Sequence, residues 1–174
     1  TADHTVRVLE TRDQAKTVIY ACLYGAGDAN IGSVVGGSAA HGKRLKTAFL
    51  ENTPALANLR SKVMSDAESG FLTGLDGRRI RVRSQHTALN TLLQGAGAVV
   101  MKQAIVILYD LMARVDFKMV AQVHDERQIE CKPEDADFIG KSCVNAMIFA
   151  GETLQLNCPL DGEYRVGNSW ADTH

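Results

Sequence analysis

Arg12, Lys16, Tyr20 and Tyr24 follow one another at strict intervals of four and run straight into Gly25. A helix turns once per 3.6 residues, so residues four apart stack on one face. That face would carry two cations and then two phenol rings. Arg offers phosphate oxygens a planar fork and Lys a mobile point charge. An aromatic ring one turn further can pack on a sugar or a base. The stripe suits a ligand with phosphates at one end and a flat base at the other. A helix whose long cations snorkel explains the Arg and Lys equally well, but not the paired tyrosines.

A second grouping is His124-Asp125-Glu126, set between two strand-like runs. A carboxylate at a tight strand junction can hold a hard cation such as Mg²⁺ through oxygen. Asp is also common in turns for backbone reasons, and taken alone the turn explains it. His86, Asn90 and Gln94 form a third stripe, again spaced by four. Its amides and imidazole suit hydrogen bonding to nucleic-acid edges or sugars, or simply the solvent side of a helix. The glycines of Tyr24-Gly-Ala-Gly27 follow a helix. A phosphate-binding loop needs a strand before it and a helix after it, so these glycines read as a helix stop.

The elements that position these groups are legible in outline. Thr11-Arg-Asp-Gln14 is a capping-box pattern, and the helix it opens runs to about Tyr24. Ala15, Val18, Ile19, Cys22 and Ala26 form its apolar stripe, offset from the Arg-Lys-Tyr-Tyr face. Further helices are expected over 30–35, from Ser38 to about Leu50, and from Pro54 to Met64. Asp76-Gly77 signals a tight hairpin between Phe71-Leu72 and the run Arg79 to Arg83. Ser84 is expected to cap a long helix to about Arg114, with Leu89, Leu92, Leu93, Ala96 and Val100 buried. Gly95 and Gly97 would let another backbone approach. Lys118 to Val123 and Arg127 to Cys131 read as strands, which makes His124-Asp125-Glu126 a hairpin tip. Pro133 opens a last long helix, with Ala136, Ile139, Cys143, Ala146, Met147 and Ala150 on one face. The tail, with Pro159, Asp161-Gly162 and Trp170, is expected to return to the sheet as strand and turn.

The composition, 45% hydrophobic and 22% charged over 174 residues, is that of a soluble globular chain of one domain or two subdomains. No apolar run approaches membrane-spanning length and no signal peptide opens the chain. Without an initiator Met, the sequence reads as a fragment or a processed piece. The net charge of −1 hides an asymmetry: residues 1–83 hold 12 basic against 8 acidic side chains, and residues 84–174 hold 7 against 12. Arg78, Arg79, Arg81 and Arg83 concentrate the positive charge. That division fits a nucleic-acid groove facing a metal-binding floor, and a solvated strand face fits the patch alone as well. Cys22, Cys131, Cys143 and Cys158 lack zinc-site spacing. Cys22 and Cys143 fall on apolar stripes and read as reduced core residues.

Taken together, these segments resemble the C-terminal part of a family A, DNA polymerase I-like DNA polymerase. Arg12-x₃-Lys16-x₃-Tyr20-x₃-Tyr24-Gly25 is similar to the family's motif B, on the fingers helix. Val123-His124-Asp125-Glu126 is similar to its motif C, in the palm. The run from Arg83 to Gln94 resembles the palm helix that contacts primer-template. Tyr20 to Asp28, Phe49 to Pro54 and Gly74 to Arg78 resemble replicative polymerases of short-tailed bacteriophages, and Gly167 to His174 resembles their C-terminus.

The resemblance implies an α+β fold: mostly helical fingers over 1–70 and part of an antiparallel-sheet palm over 71–174. It implies template-directed transfer of deoxynucleotides to a primer hydroxyl. Arg12 and Lys16 would hold the incoming triphosphate, Tyr20 would meet its sugar, and Tyr24 the site of the templating base. Arg83, His86, Asn90 and Gln94 would touch DNA. Asp125 would bind the catalytic metals, two Mg²⁺ ions, with His124 and Glu126 beside the primer end. The implied partners are primer-template DNA, deoxynucleoside triphosphates, the rest of the polymerase in the same or a separate chain, and a processivity factor. No membrane is implied, and the setting is the cytoplasm of an infected bacterial cell. Motif A, which carries the other metal-bridging carboxylate, has no counterpart, nor do the thumb and a proofreading exonuclease. Asp3-His4-Thr5 lies closer to Arg12 than its counterpart usually does, and the stretch between Met64 and Phe71 is shorter than in the phage enzymes. A subunit of a split polymerase and a non-catalytic DNA- or nucleotide-binding module are the alternatives.

Overall fold

The computed structural model describes residues 11–174, and Asp3-His4-Thr5 lies outside the described residues. The fold is α+β, with helices and two separate antiparallel hairpins. The chain divides into two compact units, residues 1–94 and 95–174.

In the first unit, α1 (Arg12–Leu23) opens on Thr11, whose Oγ1 accepts from the Gln14 amide at 3.1 Å. Helices α2 (Asp28–Val34), α3 (Ala39–Asn52) and α4 (Pro54–Asp66) follow. Val18 and Cys22 of α1 are buried with Ile31 and Leu45, forming one small core. Ile19, expected on that stripe, is exposed instead. Val18 and Cys22, four apart, are enough to seat the helix, and Ile19 falls to its flank. Burial pushes the Cys22 thiol pKa up, as a reduced core cysteine requires.

Strands β1 (Phe71–Thr73) and β2 (Arg79–Arg81) pair with Thr73 opposite Arg79. The turn expected at Asp76-Gly77 lies in the loop 74–78 that joins them, with three residues inside the Gly74–Arg78 hydrogen bond. The Gly74 amide donates to the Arg78 carbonyl at 2.8 Å, and Gly77 takes a φ of +79°. Val63, Ala67, Leu72, Ala88 and Leu89 form the core beneath this hairpin. Ser84 does not cap with its hydroxyl. Its carbonyl receives the Thr87 amide in a short 3₁₀ turn that leads into α5 (Ala88–Leu111). An 18-residue window within Gln85–Leu111 has a mean hydropathy of 1.5, so this helix is long and apolar enough, by length and composition only, to cross a membrane. This corrects the expectation of no such run: Lys102 interrupts the apolar residues in sequence, and the average over the window absorbs it.

The second unit packs the rest of α5 with β3 (Phe117–Val123), β4 (Glu126–Cys131) and α6 (Ala136–Thr153). Ala104, Leu108 and Met112 sit at spacings of four and meet Ile139, Ala146 and Ala150 in the core. Gly97 serves no close approach, since a Cβ built on it meets nothing within 4 Å. Gly140 does, because a Cβ there would strike the Tyr164 ring at 2.1 Å. The tail thus lies on α6 through Tyr164, whose hydroxyl donates to Asp137 at 2.5 Å. It forms no strand, contrary to expectation, and ends in a one-turn helix, α7 (Trp170–Thr173), closed by a Ser169–Asp172 capping box.

Between Met119, opposite Ile129, and Ala121, opposite Gln128, the register slips by one residue. Val120 is the extra residue of a β-bulge and is 58% exposed. A one-residue slip exchanges the faces of a strand. Before the bulge Phe117 and Met119 share the core face with Cys131 and Ile129. After it, Gln122 shares that face with Arg127, while Ala121 and Val123 pair with Gln128 and Glu126 on the other.

Candidate functional site

On α1 the four expected side chains, Arg12, Lys16, Tyr20 and Tyr24, are all exposed along one line. The rings of Tyr20 and Tyr24 stack with centroids 5.8 Å apart and planes 12° from parallel. The Lys16 Nζ lies 5.9 Å from the Tyr20 centroid, within cation–π range. Neither cation forms a salt bridge among the described residues.

The end of this face is held by tertiary contacts. The Gln94 amide donates to the Tyr24 hydroxyl at 3.3 Å, across 70 residues of sequence. Gly25 takes φ +79°, and a Cβ on it would come within 2.4 Å of the His86 carbonyl oxygen. Lys46 of α3 donates to the Ala26 carbonyl at 3.1 Å and pairs with Asp28 at 3.4 Å. The stripe His86, Asn90, Gln94 therefore begins beside the tyrosine end of α1. His86 and Gln94 are exposed, and the Asn90 Oδ1 is buried with no hydrogen-bond partner among the described residues.

Of the four clustered arginines, two are engaged locally. Arg78 binds Asp76, holding that carboxyl below its ordinary range, and the Arg79 guanidinium lies 4.1 Å over the Phe71 ring. Arg81 and Arg83 are exposed.

In the second unit, β3 and β4 leave a two-residue turn, His124-Asp125, so Glu126 is the first residue of β4 and not part of the tip. His124 adopts φ +51°. A left-handed residue in a two-residue hairpin matches the twist of the strands, and His is among the few side chains enriched there. The turn is braced from within. The Gln122 side-chain amide donates to both the His124 and Glu126 carbonyls at 3.2 Å, and the Arg127 Nε donates to the Gln122 Oε1 at 3.0 Å. Arg127 in turn donates to the Met101 carbonyl at 3.0 Å, and desolvation lowers its pKa. Sequence reasoning missed both residues, and only the register slip at Val120 brings them together.

Glu126 and Asp125 differ sharply. The Glu126 Oε1 accepts from Gln128 Nε2 at 2.5 Å and from Trp170 Nε1 at 2.6 Å, and its Oε2 lies 2.9 Å from His174 Nδ1. The hydrogen bonds from Gln128 and then His174 hold its carboxyl below the ordinary carboxylate range. Asp125 is exposed, and its carboxylate makes no hydrogen bond or salt bridge among the described residues. A bare carboxylate on a braced turn fits a hard cation as one ligand. No group of three or more His, Cys, Asp or Glu side chains that could hold a metal occurs among the described residues.

The fold has a counterpart in the POL domain of Pol1 from M. smegmatis, solved in complex with DNA primer-template and dNTP. The match has a TM-score of 0.72 at 19% identity and covers 80% of this chain and 27% of that one. The family model for DNA polymerase family A matches residues 3–172. The chain belongs to DNA polymerase family A. It is 41% identical over 190 residues to the DNA-directed DNA polymerase of Escherichia phage T7, covering 95% of this chain and 27% of that protein. It is 30% identical to DNA polymerase I of Aquifex aeolicus, over 92% of this chain and 30% of that protein. The chain thus spans little more than a quarter of the length of these relatives.

Proposed function

We propose that this chain is the fingers, residues 1–70, and part of the palm, residues 71–174, of a replicative DNA polymerase acting in the cytoplasm of an infected bacterial cell. The observation that carries the reading is the α1 face, with two cations that form no salt bridge among the described residues, leading into two stacked rings. Arg12 and Lys16 bind the triphosphate of the incoming deoxynucleotide. Tyr20 meets its sugar, and Tyr24, tied to Gln94, stands at the templating base. Arg83, His86, Asn90 and Gln94 contact primer-template DNA.

Asp125 is the metal-binding carboxylate, with His124 and Glu126 as its neighbours at the primer end. Two Mg²⁺ ions, when bound, supply activation of the primer hydroxyl and stabilisation of the leaving pyrophosphate. The residues of this chain contribute position and charge: the left-handed His124 turns the strand, Gln122 fixes the turn carbonyls, and Asp125 presents its oxygens. The second bridging carboxylate comes from a motif A segment that this sequence does not contain, in the same chain or in another.

Primer extension with Mg²⁺ and all four nucleotides tests the reading. The chain alone extends no primer, and the chain completed by the remaining parts of a family A polymerase does. Robust synthesis by the chain alone would require a second carboxylate within it. DNA and nucleotide binding without synthesis by the completed protein would mark it as a non-catalytic module.

A further inference from the structure

Glu126 is the residue whose surroundings the proposed chemistry leaves unexplained. It stands next to the free Asp125, yet three side-chain donors occupy its two oxygens. Two of them, Trp170 and His174, lie 44 and 48 residues away. Gln128, the third, is itself held, because the Thr173 hydroxyl donates to its Oε1 at 3.2 Å. The Trp170 and His174 rings meet edge to face with centroids 6.4 Å apart. All four residues that reach the β4 face therefore belong either to the α7 turn and His174 or to β4 itself.

We propose that Trp170 and His174 are positioning residues for the Asp125 turn, acting through Glu126 as a clamp on the first residue of β4. Glu126 and Gln128 alternate with Arg127 along β4, and the bulge at Val120 puts Gln122 on the Arg127 face, opposite theirs. The turn is thus held on one face by the Gln122 amide and on the other by the α7 clamp. With both carboxylate oxygens engaged, Glu126 does not compete for a cation, and Asp125 is the acid that the turn presents. Fixing a reacting group's supports is how such sites keep their geometry, and a displacement of about 1 Å can cost roughly a hundredfold in rate. The activity side of this proposal rests on the polymerase reading, and the contact itself does not.

Trp170 is the sole tryptophan, so its fluorescence reports the clamp directly. It is 47% exposed when docked. In the 174-residue chain, His174→Ala and Glu126→Ala should each shift its emission to the red and raise acrylamide quenching about twofold as α7 is released. In the completed polymerase, His174→Ala should lower the single-turnover rate at saturating nucleotide about tenfold or more, with DNA affinity and nucleotide KM unchanged. His174→Asn, which keeps a donor at the δ position, should restore most of the rate. Unchanged Trp170 emission and quenching in both variants would overturn the clamp whatever the protein's activity. A changed emission with an unchanged rate would overturn the positioning role and leave the polymerase reading standing. Absence of synthesis by the unsubstituted completed protein would overturn that reading, and the positioning role with it, even where the fluorescence responds.

Discussion

A Cβ on Gly25 would sit 2.4 Å from the carbonyl oxygen of His86, 61 residues further along the chain. The same glycine has a φ of +79°. The end of the tyrosine-bearing helix and the 3₁₀ turn that leads into α5 are thus fitted so closely that no side chain can stand between them.

Gly25→Ala should therefore destabilise the chain by more than about 1 kcal/mol, from the left-handed backbone alone, with the clash added. Gly27→Ala is the control, because a Cβ there meets nothing within 4 Å and its φ is −69°. It should change stability by less than about 1 kcal/mol. Urea unfolding of the two variants measures the difference, and equal stabilities would contradict the packing of Tyr24-Gly25 on His86.

Asp125→Ala should leave stability within about 0.5 kcal/mol, because the exposed carboxylate makes no hydrogen bond or salt bridge among the described residues. In the completed polymerase the same change should lower the chemical step by roughly 10²–10³ or more while sparing DNA binding. A loss confined to DNA affinity would remove Asp125 from the metal site.

Arg12→Ala and Lys16→Ala should likewise be nearly neutral for folding, since neither cation forms a salt bridge among the described residues. Each should weaken nucleotide use about ten- to a hundredfold, the worth of one charge-assisted contact, with primer-template affinity little changed. Nucleotide titrations in single-turnover assays separate the two effects. Damage to DNA binding alone would return the stripe to a solvated helix face.

The Tyr20 ring is 44% exposed and stacked on Tyr24. A hydroxyl there can replace the polar contact that a nucleotide without its own sugar hydroxyl fails to make, whereas Phe leaves polar groups unpaired. The completed enzyme should accept dideoxynucleotides readily, and Tyr20→Phe should reject them while normal synthesis persists. The ratio of dideoxy to deoxy incorporation checks this, and an unchanged ratio would move Tyr20 away from the sugar.

Tyr164 and Asp137 give a pH signature of tail docking. Their hydrogen bond raises the Tyr164 pKa, and hydrogen bonds from Lys141 and then Tyr164 lower that of Asp137. A depressed carboxylate contributes stability above its unfolded pKa of about 3.9 and loses it as pH falls through the folded value. The anchor should therefore be complete at neutral pH, weaken in acid as Asp137 is protonated, and weaken in alkali as Tyr164 loses the proton it donates. At the alkaline end, the phenolate absorbance lost in Tyr164→Phe should titrate above the ordinary tyrosine value of about 10, and Asp137→Asn should bring it back down.

What the sequence by itself determined lies within a few residues of chain. The α1 face follows from one helical period, and Thr11 caps that helix as its spacing to Gln14 implies. The two strands around Asp125 follow from alternation, and the core stripe of α6 from Ile139, Ala146 and Ala150. These features are local, so residue type and period are enough to specify them. The tertiary structure decided the rest. Val120 looks like any strand valine, yet as a bulge it exchanges the faces of β3 and sets Gln122 opposite Arg127 instead of Glu126. Trp170 and His174 reach Glu126, Gln94 reaches Tyr24, and His86 closes on Gly25 across 44 to 70 residues. No period in the chain marks such pairs, because they form only when the cores between them have packed and brought distant backbone into hydrogen-bonding range.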